Sequence, residues 1–185
     1  MKNKILFFLV AICLTIQFQS CTDPDEIPND SILDPSFRNA VEPIYASEND
    51  WQNIDYLSPQ PIEKLGKIYY KDNFIYVNEL NKGIHIINNS NPTNPIFVSF
   101  IQVPGSKDIA IKGNYLYTDN VSDLLVFDIS DFNNVSVVNR VPNVYPSVNQ
   151  SFPEFHNGPF VCVDPARGTV IGWQETDVTE MDCRR

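Results

Sequence analysis

Residues 83–100 read GIHIINNSNPTNPIFVSF, and residues 123–140 read DLLVFDISDFNNVSVVNR. Each stretch places a polar turn rich in Asn, Ser and Asp between two apolar runs. Apolar residues in short alternating runs are typical of strands, and Asn, Asp and Pro favour the turns between strands. The two stretches therefore predict two copies of a strand–turn–strand unit.

The repeat extends upstream of these stretches. KIYYKDNFIYV (67–77) aligns with DIAIKGNYLYT (108–118) at an offset of 41, and the polar turns align at an offset of 40. KDN and KGN each predict a tight turn, because Asn and Gly tolerate positive φ. Each unit is therefore about 40 residues long and holds three or four antiparallel strands.

A sheet of about 40 residues cannot bury its apolar faces alone and needs stacked neighbours, as the blades of a β-propeller do. We predict an all-β, propeller-like array of antiparallel blades over residues 62–185, two of them clear. FVCVDPARGTVIGW (160–173) reads as two strands around a DPARG turn, either a third, degenerate blade or a closing cap. Three blades are too few for a usual ring. We expect an incomplete ring: an open array, a chain that self-associates through exposed sheet edges, or a fragment.

GIHIINNSNPTNP and LLVFDISDFNNV resemble the LVIVD repeat, whose units read roughly Gly-Leu-x-Ile-Ile-Asp-x-Ser-Asn-Pro. The resemblance spans about residues 62–145. The first unit has Asn88 where Asp is usual, and the second has Asp123 for Gly and Phe132 for Pro, which should loosen the second turn. LVIVD repeats form β-propellers in secreted and surface bacterial proteins. The resemblance implies a propeller-like fold and a binding role, and it carries no catalytic residues.

The N-terminus has the pattern of a signal peptide over residues 1–20. Lys2 and Lys4 precede an uncharged apolar run, residues 5–16, that is too short to cross a bilayer core of about 30 Å. Ser20 and Cys21 resemble the loose lipobox of Bacteroidetes-type lipoproteins, which implies that Cys21 is lipidated. The alternative is an ordinary secretory signal that leaves Cys21 as a free thiol.

Residues 21–61 are polar and acidic, and we interpret them as a lipidated tether and lead-in. TDPDEIPND resembles the acidic signal that exports such lipoproteins to the outer face of the outer membrane; a solvated linker is the alternative. Ser31 lies in a short motif that resembles an O-glycosylation site of these bacteria. Trp51, Ile54, Tyr56 and Leu57 are expected to dock the lead-in onto the domain.

Two cysteines remain once Cys13 leaves with the signal peptide and Cys21 is lipidated. In an exported protein, Cys162 and Cys183 are candidates for one disulfide. The alternative is that Cys162 is a small buried residue and Cys183 is free near the C-terminus.

The sequence favours binding over catalysis. A net charge of -10 without a basic cluster argues against nucleic acid as a partner. The common nucleophile, zinc and nucleotide motifs are missing, and we predict no cofactor, no metal site and no assigned catalytic residue. His156 in its loop and the acidic residues Asp119 and Asp123 are candidate ligand-loop residues, although turn chemistry explains the acidic residues better. His85 lies between Ile84 and Ile86 and points opposite to them, so we predict it at a blade surface.

We therefore expect a cell-surface lipoprotein of the outer membrane. It would act as a non-catalytic binding or scaffold module for an envelope protein or a glycan, through loops at the blade ends. The alternatives are a propeller-based hydrolase or lyase that uses loop Asp and His residues, and a structural remnant with no independent role.

Overall fold

The computed structural model describes residues 40–47, 49–132, 134–145, 151–154, 156–176 and 183. The predicted signal peptide, Cys21 and Ser31 lie outside the described residues. The strands, in chain order, are β1 (Ala40–Ala46), β2 (Asp55–Leu57), β3 (Leu65–Lys71), β4 (Phe74–Glu79), β5 (Gly83–Asn88), β6 (Ile96–Gln102), β7 (Ile109–Lys112), β8 (Tyr115–Asn120), β9 (Asp123–Asp128), β10 (Ser136–Val141) and β11 (Thr169–Thr176). Short 3-10 helices span Asp50–Gln52 and Pro165–Arg167.

The strands form three antiparallel sheets. The first has the order β2-β6-β5-β4-β3, the second β10-β9-β8-β7, and β1 pairs with β11 in the third. Strands β3 to β6 form the first blade and β7 to β10 the second, each a meander in which consecutive strands pair. The predicted all-β array of two antiparallel blades is confirmed, and the described strands do not close into a barrel.

The two blades repeat each other down to single hydrogen bonds. The side chain of Asn88 accepts from the backbone N–H of Ser90 at 2.9 Å, and Asp128 accepts from Ser130 at 2.8 Å. The turns also close alike, since the Asn94 and Asn134 N–H groups each donate over 3.0 Å to a carbonyl three residues earlier. The second turn is therefore not loosened at these bonds.

The tight turns and the bulges also follow the repeat. Asp72 and Asn73, in the KDN turn, both have positive φ (49° and 65°), as does Gly113 (60°) in the KGN turn. Such left-handed residues match the turn to the twist of the flanking strands. The pairing also shifts at Val98 in β6 and at Val138 in β10, which are equivalent positions at the offset of 40.

The main core lies between the two blades, in the junction where one face of each sheet packs against the other. Its buried members are Tyr76, Ile84, Ile86, Ile101 and Val103 from the first blade and its linker, and Ile109, Ile111, Leu116, Leu125, Phe127 and Ile129 from the second. Burial of each large apolar side chain contributes about 1.5–3 kcal/mol. The junction exists because neither sheet could keep this face dry alone.

Residues before the first blade extend its sheet. Leu57 of β2 lies opposite Phe100 of β6, so β2 covers the outer edge of the first blade. The Tyr56 hydroxyl lies 3.0 Å from the Ser99 hydroxyl. This part of the predicted lead-in is therefore built into the sheet. In the described parts of the chain, no helix is long and apolar enough to cross a membrane.

The predicted pair of strands around DPARG is wrong in its first half. Only β11 follows the turn, while Phe160 before it makes single-residue bridges to Val41 and Cys183. Asp164 accepts a hydrogen bond from Ala166 N at 2.9 Å and so starts a 3-10 helix instead of a hairpin turn. The partner of β11 is β1, far away in sequence.

The β1–β11 sheet lies at one end of the blades. Gly172 packs directly against the side chain of Asn81 in the β4–β5 turn, and an added Cβ on Gly105 would lie 3.1 Å from the Ile171 carbonyl oxygen. The degenerate third unit is therefore a two-stranded sheet that caps this end of the junction.

We expect Ile84→Ala to lower the free energy of unfolding by about 2–5 kcal/mol, because it leaves a cavity in the blade junction. The matched change Ile96→Ala removes the same atoms from an exposed site in the same sheet and should cost less than about 1 kcal/mol. Chemical denaturation of both variants measures the difference. Equal losses would contradict a core placed between the blades.

Candidate functional site

The array has two ends, which differ in how their polar groups are used. The cap end carries the β4–β5 turn (80–82), the β6–β7 linker (103–108) and the β8–β9 turn (121–122). The loop end carries the β5–β6 loop (89–95) and the loop between β9 and β10. Asp119 and Asp123 lie at the cap end.

Asp119 holds the linker between the blades. Its Oδ1 accepts from the backbone N–H groups of Lys107 at 2.8 Å and Asp108 at 2.9 Å. Burial raises the pKa of the Asp119 carboxyl, and these two donors offset only part of that effect. Burial also raises the pKa of Tyr145, and the charges of Asp119 and Asp108 add to it. Asp119 thus fixes the path of the chain into the second blade.

Asp123 is paired with Arg140 of β10. The Nη1 of Arg140 donates to Asp123 Oδ2 at 2.9 Å and to Asn120 Oδ1 at 2.7 Å, and Asp123 Oδ1 also accepts from Asn143 N at 3.1 Å. The Asp123 side chain is almost fully buried, whereas Arg140 is partly exposed. A buried carboxylate needs such compensation, and here Arg140 supplies it.

The same arginine reaches the segment before the first blade. Its guanidinium lies 5.8 Å from the centroid of the Trp51 ring, a cation–π contact, and its Nη2 donates to the Gln52 carbonyl at 3.2 Å. Asn120 donates to the carbonyls of Trp51 at 2.8 Å and Pro104 at 2.7 Å. Arg140 and Asn120 therefore tie the 3-10 helix Asp50–Gln52 to the second blade.

The three candidate ligand-loop residues serve separate parts of the fold. Asn120 lies opposite Asp123 in the β8–β9 hairpin, so Asp119 points to the other face of that hairpin. His156 lies 3.0 Å, through Nε2, from the carbonyl oxygen of Pro159 in its own loop. Asp119 and His156 each contact backbone groups, and Asp123 contacts Arg140, so the three side chains act at three separate places.

A buried Glu79–His85 pair lies at the cap end of the first blade, although the sequence predicts His85 at a blade surface. The His85 Nε2 lies 3.2 Å from Glu79 Oε2, and both side chains are almost fully buried. Glu79 also accepts from the backbone N–H groups of Lys64 and Glu63. The prediction fails because His85 is buried with Glu79 and packs against the rings of Phe97 and Phe100 in β6.

The sequence does hold a signal for this pair. Val77 lies opposite His85, and Glu79 lies opposite Gly83, so the two side chains share one face across a short turn. His85 Nδ1 has no hydrogen-bond partner within the described residues. The Nε2–H group of His85 donates to the Glu79 carboxylate, because an ionised carboxylate can only accept.

A chain of buried polar groups crosses the blade junction. Asn78 Nδ2 donates to Ser106 Oγ at 2.7 Å, Ser106 Oγ lies 2.8 Å from Thr118 Oγ1, and Thr118 Oγ1 donates to the Asp108 carbonyl at 2.8 Å. Because the Thr118 hydroxyl donates to the Asp108 carbonyl, Ser106 donates to Thr118, and all three hydrogen bonds run in one direction. These bonds give each of the three side chains a partner, whereas Asn78 Oδ1 is buried with no hydrogen-bond partner among the described residues.

Cys162 and Cys183 form a disulfide, with Cα atoms 5.1 Å apart and a sequence separation of 21. Closing a loop of this length contributes on the order of 3 kcal/mol. The bond fixes Cys183 beside Phe160, with which it forms a β-bridge. It therefore ties the described C-terminal residue to the cap.

Two further findings bear on the class of protein. Among the residues that the structure describes, no three His, Cys, Asp or Glu side chains gather to hold a metal ion. The family model of the LVIVD repeat matches residues 66–102 and 105–142, which are the two blades. These are two adjacent matches to a repeat that is associated with β-propeller-like structures. No curated protein and no solved structure matches the chain.

The Glu79 carboxylate gives the stability a dependence on pH. Burial alone would raise its pKa, but the N–H groups of Lys64 and Glu63 and the His85 side chain outweigh burial and hold the pKa below the ordinary 4.5. A lowered folded-state pKa means that ionised Glu79 stabilises the fold above about pH 4.5. This stabilisation is lost as the pH falls through the folded-state value.

We expect Glu79→Gln to reduce the free energy of unfolding by about 2 kcal/mol at pH 7. The difference from wild type should shrink below pH 4.5, as the wild-type carboxylate takes up its proton. Denaturation curves from pH 7 to about pH 3 measure it, and Glu63→Gln, at an exposed carboxylate, is the control with an effect within about 0.5 kcal/mol. A difference that grew on acidification would refute the assignment.

Proposed function

We propose that this protein is a lipid-anchored protein of the outer membrane, exposed at the cell surface, whose two blades serve as a non-catalytic binding or scaffold module. The proposed partner is an envelope protein or a glycan, bound by loops at the end of the blades. The acidic chain, with a net charge of -10, disfavours nucleic acid.

Two features support a location outside the cytoplasm. The sequence around Cys21 resembles a lipobox behind a signal peptide, and several acyl chains on Cys21 would anchor the protein firmly. The Cys162–Cys183 disulfide suits an oxidising compartment, because cytoplasmic thiols are kept reduced.

The preorganised loop end supports a binding role and is the observation that carries the proposal. In the β5–β6 loop, Asn88 and Asn91 accept from backbone N–H groups two residues ahead, at 2.9 and 3.2 Å. The loop is thereby held in shape while residues 90–97 stay exposed. A loop that is already ordered loses less conformational entropy when it binds, which favours affinity.

The engaged polar groups of the cap end support binding over the hydrolase or lyase alternative. Asp119 accepts two backbone N–H groups, Asp123 holds Arg140, and His156 contacts the Pro159 carbonyl. A general acid or base needs to reach a substrate proton within hydrogen-bond distance. These side chains instead hold the loops in which they lie.

Cys21→Ala should release the protein from membranes, because it removes the predicted site of acylation. We expect the wild-type chain in the membrane fraction, labelled by a radioactive fatty acid and cut by protease added to intact cells. Cys13→Ala, within the predicted signal peptide, should behave as wild type. An unlabelled wild-type chain, or a labelled Cys21→Ala chain, would contradict lipidation at Cys21.

Asn94→Arg should weaken binding at least tenfold, because it places a bulky charge on the exposed β5–β6 loop. The same change at Asn53, two residues after Trp51 and therefore near the cap end, is the matched control. Binding is measured against a panel of immobilised glycans and outer-membrane proteins of the native host, with circular dichroism to show that both variants fold. If Asn53→Arg alone abolished binding, the loop end would be the wrong surface. Turnover of a glycan or peptide that is lost in His156→Ala would favour the enzyme alternative.

A further inference from the structure

The two blades leave two apolar sheet faces without a covering blade. The first open face is the side of the first blade turned away from the junction, and its apolar members on four strands are Ile68, Tyr70, Ile75, Ile87 and Phe97. Ile68, Tyr70 and Phe97 are exposed, whereas Ile87 and, nearer the cap, His85 and Phe100 are buried. The second open face is the corresponding side of the second blade, with Tyr115, Tyr117, Leu124, Val126, Val138 and Val141. Several of these side chains are among the large exposed hydrophobic residues of the chain. Contiguous exposed apolar faces of this kind mark interaction surfaces.

The repeat shows which surface each open face matches. Ile68 and Tyr70 of β3 are equivalent, at the offset of 41, to Ile109 and Ile111 of β7, which pack in the junction. Ile68 is 59% exposed, whereas Ile109 is 1% exposed. The first open face therefore has the pattern of the surface that the second blade turns toward the first.

The second open face matches the other side of the junction. At the offset of 40, Leu124 is equivalent to Ile84 and Val141 to Ile101, which are both fully buried in the junction. Val141 is 39% exposed, whereas Ile101 is 0% exposed. The bulged Val138 corresponds to Val98, which packs against the junction core. The two open faces thus carry the two complementary halves of an interface that the chain already forms.

The charges next to the junction fit the same arrangement. Lys67 Nζ of the first blade lies 2.9 Å from Asp108 Oδ1, just before the second blade, and the two residues are equivalent in the repeat. A junction built from the two open faces would bring Asp108 of one chain toward Lys67 of another. The acidic and basic residues would exchange sides of the junction relative to the observed ion pair, but their charges would still be opposite. The ion pair would therefore favour the contact.

We propose that two copies of this chain stack these faces reciprocally, the second open face of each copy on the first open face of the other. Each contact repeats, between chains, the part of the observed blade junction that the exposed residues of the two faces correspond to, and the pair closes a ring of four blades, a number within the usual range for propellers. The contact is heterologous, so two of them are needed to close the ring. In this arrangement the copies associate through blade faces and not through the exposed sheet edges that we expect from the sequence.

The test is the mass of the full chain, purified from membranes in detergent and measured by native mass spectrometry. Wild type should be a dimer, at twice the mass that the same sample gives after denaturation. Ile68→Glu on the first open face and Val141→Glu on the second should each give monomers whose circular dichroism matches wild type. Ile96→Glu, at an exposed isoleucine outside both faces, should remain dimeric.

Mixing the two monomeric variants separates the proposed contact from other dimers. Ile68→Glu keeps the second face and Val141→Glu keeps the first, so the mixture should form a heterodimer through one intact junction. A contact between two first faces would instead be broken by Ile68→Glu alone, and mixing would not restore it. A monomeric wild type at about 100 µM, well above the Kd of a stable dimer, would overturn the proposal. Open polymers, or a dimer unaffected by both variants, would do so as well.

Discussion

The apolar junction between the two blades is the constraint on which the rest of the structure depends. A four-stranded sheet has two faces, and each blade here has apolar residues on both. Packing Ile84 and Ile101 against Ile109 and Leu125 removes one face of each sheet from water, which a single blade could not do.

The junction also determines how the polar residues at the cap end are used. Polar groups that enter a dry interface need partners, and Asn78, Ser106 and Thr118 find them in one another. Asp119, Asp123 and Glu79 accept from backbone N–H groups where the chain enters or leaves a blade. The carboxylates that the sequence suggests as functional groups therefore stabilise the fold instead. The exposed, internally braced loops at the other end are left to meet a partner.

Much of the blade architecture could be predicted from the sequence, because it depends on local patterns. Alternation, the KDN and KGN turns and the offset between repeats sufficed for the strands of both blades. The β1–β11 pairing could not be predicted, since it joins residues 40–46 to residues 169–176 and neither segment carries a mark of the other. The burial of His85 could not be predicted either, because it depends on Glu79 and on the rings of Phe97 and Phe100, which meet His85 only in the folded sheet.

The candidate site shows the same division between local and long-range information. Asp119 and Asp123 were found as turn residues, but their partners Lys107, Asn143 and Arg140 depend on how the chain returns to the cap end. Arg140 gave no signal, because it stands alone in a strand and acquires its role only through Trp51 and Asn120. Sequence patterns indicate which residues favour a turn, whereas the packed blades determine what each of them holds.

Native-state hydrogen exchange on a Leu125→Ala variant tests the shared core most directly. Leu125 belongs to the second blade, but its side chain packs in the junction. If the blades stabilise each other, the substitution should lower the protection of β5 in the first blade about as much as that of β9. Loss of protection confined to the second blade, with β5 unchanged, would contradict a common core.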